Sequence, residues 1–369
     1  MSAPLQRVLV VDDAVPRAAL GAGHPRGLAV VKALAALARR VDLLPSQRGL
    51  GTDVAIDPLP ENVAVLDGAP EDALLRALAD APVDLLWIGR PNNLAWVERI
   101  ARIAPAAFAR SRIVYDAEAL FALRDARRRA LEGTPMSDVR LRHALRQELH
   151  PAHLAAAIAA VSEPERRAIA DVVPRPVHVL GYPAAPRVAA AVPDGRGGAL
   201  FVGSLSPADS PNGDALQWLL REVWPRVAQP FTLAVAGRGA EPDGWLAPFA
   251  GDAVRLLGPV PDVAPLYASA RAFVAPTRYA AGIPLKVIEA AQHGVPVVAT
   301  PLVAELLGWR DGVELLVGHD ARSFAAALDR LSGDGALWRS LSAGALAALQ
   351  RDLSPAAFEA SVRALAGAG

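Results

Sequence analysis

Along the chain, short runs that are apolar at every position alternate with longer stretches in which apolar positions recur every three or four residues. RVLVVDD (7–13) precedes GLAVVKALAALARR (27–40), and VDLLP (41–45), VAVLDG (63–68), VDLLWIG (83–89) and SRIVYDAEA (111–119) are the next strand-length runs. Continuous apolar runs predict strands buried on both faces, the habit of parallel sheets covered by crossover helices. A helical, charge-mixed stretch over 121–150 and a helix over 151–159 follow, then strands AAVSE (159–163) and PVHVLG (176–181). Right-handed crossovers make such a series a doubly wound sheet.

Residues 182–198, YPAAPRVAAAVPDGRGG, are rich in proline and glycine without useful periodicity and read as a linker. The alternation then restarts with ALFVGSL (199–205), a helix over 212–222, FTLAVAG (231–237), VRLLG (254–258) and a helix over 262–270. AFVAPT (272–277), a helix over 284–293, VPVVAT (295–300), ELLVG (314–318) and two terminal helices within 320–366 complete it. The division predicted is a first α/β domain over 1–181, the linker, a second over 199–352, and a final helix in 353–369 free to cross back to the first. Ligands of such sheets bind beyond the carboxyl ends of the strands, so two facing domains put their loops on the walls of one cleft. The loops in question are 12–27, 89–96, 116–124, 204–213, 237–244, 258–263 and 277–284.

Composition narrows the chemistry. A chain of 369 residues, 53% hydrophobic, is too long for one ordinary core, and its 38 basic and 38 acidic side chains balance. Neutralising nucleic-acid phosphates needs a clear basic excess, so no nucleic-acid partner is expected. The absence of cysteine excludes disulfides, thiolate metal sites and a cysteine nucleophile, and fits a cytoplasmic protein. The N-terminus MSAPLQRVLVVDDA has no signal-like apolar core, and its VLVV run is strand-length. The expectation is a soluble protein, at most peripheral at the inner face of the cell membrane. The seven histidines show no paired metal-ligand spacing, and no Asp-x-Asp motif closes a strand, Asp12-Asp13 coming nearest; no metal is expected.

The densest candidate chemistry lies in RYAAGIPLKVIEAAQHGVPVVAT (278–300). Its loop ends in Gly282-Ile283-Pro284, and proline suits a first helical position because the N–H it lacks would have had no partner there. Exposed N–H groups and the positive dipole end make a helix start an anion site. Lys286 adds a cation within that first turn, which the dipole disfavours unless an anion lies close. A diphosphate resolves the conflict, with the backbone of Gly282 to Leu285 approaching its oxygens and Lys286 or Arg278 supplying charge. Glu289 stands on the same side of the helix, placed to accept hydrogen bonds from vicinal hydroxyls such as those of a ribose. The competing reading is an i,i+3 lysine–glutamate salt bridge on a solvated face.

With these residues in place, the chain resembles the retaining nucleotide-sugar glycosyltransferases of glycosyltransferase family 4. FVGSLSPADSPNGDALQWLLREVWPRV (201–227), LLGPVPDVAPLYASARAFVAPTRYAAGIPLKVIEAAQHGVPVVAT (256–300) and LGWRDGVELLVGHD (307–320) look like that family's donor-binding domain. RVLVVDDAVPRAALGAGHPRGLAVVKAL (7–34), GRPNN (89–93) and RIVYDAEALFALRDARRRALEG (112–133) are similar to the acceptor domain of a branch acting in polysaccharide and cell-surface glycan assembly. The resemblance implies an α/β chain of GT-B fold: two facing Rossmann-like, doubly wound domains around an interdomain cleft.

Carried over residue by residue, it implies a donor-ribose contact for Glu289, the second glutamate of the family's paired pattern. The first would fall at Ala281, which leaves sugar recognition to the backbone around Ala281 to Ile283. After FVG the family usually has an arginine and then a lysine on the diphosphate; Ser204 stands here, with no lysine before the helix. Lys286, and Arg278 with it, become the implied phosphate ligands. The nucleobase would lie between the loop holding Gly237 and Arg238 and the segment GPVPDVAPL, read by the backbone of Val260 to Val263 with Leu266 beneath it. Ordinary strand-end turns are the competing reading for Gly237 and Gly258.

In the first domain the loop Ala14 to Gly27, with Gly21 and Gly23, resembles the family's first loop. It implies a donor-side role for Gly23 and acceptor contacts from His24 and Arg26, joined by Arg90, Asn92 and Arg124. Asp116 and Glu118 end their strand where the family holds or deprotonates an acceptor hydroxyl; an Asx turn or helix cap is the alternative. Arg124, Arg127, Arg128 and Arg129 face either an anionic acceptor or headgroup, or simply solvent with Asp125 and Glu132 as partners. The function expected is metal-independent transfer of a sugar from a nucleoside diphosphate to a glycan or lipid-linked acceptor hydroxyl, with retention. No cofactor is expected beyond the nucleotide-sugar co-substrate. An epimerase or hydrolase on the same fold, or a non-catalytic nucleotide-sugar-binding relative, remain alternatives, the last because of Ala281 and Ser204.

Overall fold

The computed structural model describes residues 4–20, 23–47, 49, 55–228 and 231–367. In the first domain the strands are β1 (Leu5–Asp12), β2 (Ala38–Pro45), β3 (Val63–Val65), β4 (Leu85–Gly89), β5 (Arg112–Asp116), β6 (Ala157–Ala160) and β7 (Val177–Val179). The helices are α1 (His24–Ala35), α2 (Pro70–Asp80), α3 (Pro91–Ile103), α4 (Pro105–Phe108), α5 (Phe121–Leu131), α6 (Asp138–Glu148) and α7 (Glu163–Ala170). The second domain holds β8 (Gly197–Val202), β9 (Leu233–Ala236), β10 (Val254–Gly258), β11 (Ala270–Ala275), β12 (Val297–Ala299) and β13 (Leu316–Val317). Its helices are α8 (Pro211–Trp218), α9 (Ala264–Ser269), α10 (Leu285–Gln292), α11 (Pro301–Leu307), α12 (Ala321–Gly333) and α13 (Gly335–Asp352), and α14 (Pro355–Ala366) ends the chain.

Both sheets are parallel, in the orders β3-β2-β1-β4-β5-β6-β7 and β10-β9-β8-β11-β12-β13. Each runs outward from its first strand and then restarts on that strand's other side, so the chain leaves β1 and β4, and likewise β8 and β11, in opposite directions. Ligands of such sheets bind in the crevice at this reversal, outside the carboxyl ends. Asp12, Gly89 and Asp116 end the strands at one reversal; Val202 and Ala275 end those at the other.

Successive residues of β1 point to opposite faces and both faces are buried, which is why the strand reads as an unbroken apolar run. Val8 and Val10 pack with Val30 and Leu34 of α1, while Leu9 and Val11 pack with Leu74 of α2 and Leu94 and Val97 of α3. Phe358, Val362 and Leu365 of α14 join the α1 side, so the last helix covers the first sheet. Each such side chain contributes about 2 kcal/mol of burial, enough to fix α14 there. The two crossings between domains touch where the Ala184 N–H donates to the Leu353 carbonyl at 2.7 Å.

The expected helix over 151–159 does not form. Residues 150–154 make one 3-10 turn, and Ala157–Ala160 enter the sheet between β5 and β7, fully buried. Sheet pairing and burial override alanine's helical preference. Three helices rather than two fill 320–366, because Asp334 caps a new start by accepting from the N–H groups of Ala336 and Leu337, both at 2.9 Å. α2, α3, α4, α7 and α11 are further helices that the hydrophobic pattern did not single out. Gly21, in the first loop, lies outside the described residues.

Candidate functional site

On the first wall, the end of β4 turns through Arg90 into α3, and the end of β5 turns through Glu118 toward α5. These two are the only non-glycine residues with positive φ among the described residues, at 73° and 53°. Such a conformation costs about 1–3 kcal/mol and persists only where the surroundings dictate it. The two strained residues face each other, Arg90 Nη2 lying 3.5 Å from Glu118 Oε2, while Arg90 Nε donates to Asp12 Oδ1 at 2.9 Å. Burial raises the Glu118 carboxyl to about 7, with Arg90 opposing and Asp12 adding to the rise; burial also raises Asp12. Gly23 packs closely here: a Cβ at that position would stand 2.7 Å from Glu118 Oε2 and would have to displace that carboxylate. His24 is half-buried at the start of α1, its imidazole pushed toward the neutral form by burial and by Arg90.

Arg26 and Asp116 correct the expectation. Both are 2% exposed and paired with each other, Arg26 Nη1 to Asp116 Oδ2 at 2.8 Å, and Arg26 also donates to the carbonyls of Leu180 and Gly181. Neither presents a group to the cleft. Arg26 instead ties the first loop to β5 and to the start of the interdomain crossing, and of the two acids expected after β5 only Glu118 is left outside that buried pair. Asn92 is exposed and donates to Asp13 Oδ1 at 2.7 Å. Arg124 is exposed over the Phe121 ring, and Arg128 and Arg129 pair with Asp125, which is the solvated-face reading.

On the second wall three loops nest. Gly237 has φ 132°, and a Cβ there would meet the Gly203 carbonyl oxygen at 2.1 Å, so only glycine lets the ends of β8 and β9 approach. Ser204 and Arg238 are exposed on these loops, and Val260, Val263 and Leu266 are half-buried around the start of α9. Pro284 stands one position before α10 and Lys286 lies in its first turn. Lys286 Nζ donates to Asn212 Oδ1 and sits 4.8 Å from the centre of the Phe201 ring. No carboxylate pairs with it among the described residues, and burial lowers its pKa from 10.5 to about 8. The salt-bridge reading therefore fails: Glu289 instead accepts from the Tyr267 hydroxyl at 3.1 Å, and burial raises its pKa.

Two residues of the site carry no obvious signal in the sequence. Asn212 joins Lys286 to the first strand's loop, since its Nδ2 donates to the Ser204 carbonyl at 3.0 Å. Its only mark was a place near the start of α8. Glu165, buried on α7 of the first domain, accepts from the Gly282 N–H at 2.7 Å. The Gly282 amide therefore faces Glu165 and not an open anion site, and its φ of 83° is the left-handed turn glycine permits. Arg127 Nη1 closes the same corner by donating to the Ala280 carbonyl at 2.8 Å. Ala281, Ile283 and Leu285 are half-buried around this contact. Arg278 is corrected as well: Asp214 holds its guanidinium bidentately, so its charge is matched beside a 430 Å³ cavity lined by Trp218, Tyr279 and Arg128.

The whole chain superposes on solved glycosyltransferase structures. HepE of Anabaena, solved with UDP and glucose, matches 99% of this chain and all of its own with a TM-score of 0.70 at 16% identity. Sucrose-phosphate synthase of Thermosynechococcus elongatus matches 99% of this chain and all of its own with a TM-score of 0.73 at 17% identity. The fold is thereby set: the GT-B arrangement of two α/β domains. Residues 196–334, the core of the second domain, match the family model for glycosyl transferases group 1. Over 92 residues, 24% of its length, the chain is 37% identical to an exopolysaccharide phosphotransferase of Streptomyces coelicolor. The chain spans about a tenth of the length of that curated relative. No helix among the described residues is long and apolar enough to cross a membrane.

Proposed function

We propose that the protein transfers a sugar from a nucleoside diphosphate to a hydroxyl of a glycan or lipid-linked acceptor, with retention and without a metal. The observation that carries the reading is Lys286, a half-buried, desolvated ammonium without an acid partner among the described residues, at the loops of the second domain. A diphosphate supplies the missing anion. Lys286 then stabilises the leaving group as its charge develops, in a cleft from which closure removes water. Glu289, held by Tyr267, is placed for ribose hydroxyls, and the nest around Gly237 for the base. On the facing wall Glu118, near neutral pH in its titration, and Arg90 would hold the acceptor hydroxyl and take its proton. A front-face route of this kind asks for no enzymatic nucleophile.

HepE was solved with UDP and with UDP-glucose, which makes uridine donors the first to try. The exopolysaccharide phosphotransferase relative supports a polysaccharide setting. Peripheral association with an anionic membrane surface would use exposed cations such as Arg124. The purified protein is incubated with a panel of nucleoside diphosphate sugars, with and without oligosaccharide and lipid-linked acceptors. Diphosphate released only when acceptor is present supports transfer. Release without acceptor means hydrolysis, and binding without turnover means a nucleotide-sugar-binding relative; either outcome overturns the proposal.

A further inference from the structure

Outside the cleft, on the outer helix layer of the first domain, Glu98 of α3 meets His150 and His153 of the 3-10 turn that leads into β6. One ligand atom from each lies within 4.8 Å of the others. His150 and His153 are three apart in the chain, a spacing that carried no metal expectation in the sequence, and the fold brings in the carboxylate. We infer that these three side chains form a binding site for a divalent transition cation, best matched by zinc, that staples α3 to the turn before β6.

The chemistry of the donors argues for it. Two imidazoles and one carboxylate suit zinc, which takes such ligands at about 2.0–2.2 Å with a fourth position left to water. His153 Nδ1 lies 2.8 Å from the His150 carbonyl oxygen. A carbonyl only accepts, so Nδ1 carries the proton and Nε2 keeps its lone pair, the arrangement that orients metal-binding histidines. Glu98 is 5% exposed and cannot swing away, whereas both histidines are exposed and free to close the remaining distance, roughly 1.5 Å for tetrahedral ligands. Glu98 Oε1 now faces Arg102, whose side chain is 65% exposed and can swing its guanidinium into solvent to leave the carboxylate to a cation. α3 starts beside Arg90 at the cleft, and Glu98 lies about 12 Å further along it, toward the opposite edge of the sheet. The site is therefore structural and takes no part in transfer.

The test uses tag-free, chelator-stripped full-length protein titrated with zinc chloride by calorimetry, with thermal unfolding followed in parallel. The expected result is one ion per chain at micromolar or tighter affinity and a Tm raised by several degrees in excess zinc. His150→Ala and His153→Ala, exposed positions whose fold is checked by circular dichroism, each weaken binding at least tenfold. Arg102→Gln tightens it by removing the competing cation, an effect that a merely packed histidine pair would not show. Absence of saturable one-to-one binding, or equal affinity in wild type and His150→Ala, overturns the site.

Discussion

Replacing Lys286 with methionine separates what this residue costs the fold from what it does for the ligand. Its pKa falls from 10.5 to about 8 on burial. Each tenfold change in a protonation equilibrium is about 1.4 kcal/mol, so keeping the ammonium charged costs the folded chain about 3 kcal/mol at pH 7. The folded pKa lies below the unfolded one, so this cost is fully present below pH 8, shrinks as pH rises from 8 to 10.5, and is gone above. Methionine keeps the stem but forfeits the hydrogen bond to Asn212 and the contact with Phe201, about 1 kcal/mol each. The net expectation at pH 7 is a variant more stable by about 1 kcal/mol, its Tm higher by roughly 2–4 °C. The gain disappears by about pH 10.5. UDP affinity, measured by calorimetry, falls about ten- to a hundredfold, the worth of a charge-assisted bond. Between pH 7 and 9 wild-type affinity declines with rising pH while the variant's stays flat. A Lys286→Met variant that is less stable at pH 7 and binds UDP as wild type does would refute the reasoning.

Glu289→Ala weakens donor binding at least tenfold, roughly 1.4 kcal/mol, and a 2′-deoxy donor, penalised by wild type in competition titration, is not penalised further by the variant. Because Glu118 titrates near 7 with its carboxylate favoured above that pH, kcat/KM rises through about pH 7 and Glu118→Gln removes that limb of the profile. Gly237→Ala drives a Cβ into the Gly203 carbonyl and lowers stability by about 3 kcal/mol or more, read as a fall in Tm with loss of donor binding. Glu165→Ala frees the Gly282 amide and loosens the corner between the domains, seen as a larger radius of gyration by small-angle scattering of donor-free protein.

The sheet strands were legible because parallel strands buried on both sides must be apolar throughout, as in RVLVV and VPVVAT. The alanine run at 155–160 misled because its composition favours a helix, and only its neighbours β5 and β7 make it a strand. α2 carried a start signal that the apolar pattern alone did not raise, Pro70 followed by Glu71 and Asp72 in its first turn. The position of Lys286 was legible from the conflict between a cation and the helix dipole. The partners around it were not: Asn212 lies 74 residues from Lys286 in the chain, and Glu165 lies 117 from Gly282, whose amide it takes. Arg26 read as a cleft residue from its glycine-bearing loop, yet its charge is consumed by Asp116, 90 residues on. Pairings of this range are set by how the strands are ordered, which no local spacing records.

The central claim is that Lys286 is a diphosphate ligand awaiting its anion and Glu289 a ribose ligand beside it. A crystal structure with bound UDP tests this most directly. The account predicts Lys286 Nζ within about 3 Å of a diphosphate oxygen and Glu289 accepting from a ribose hydroxyl. A diphosphate held elsewhere, with Lys286 still bonded to Asn212 alone, would contradict it.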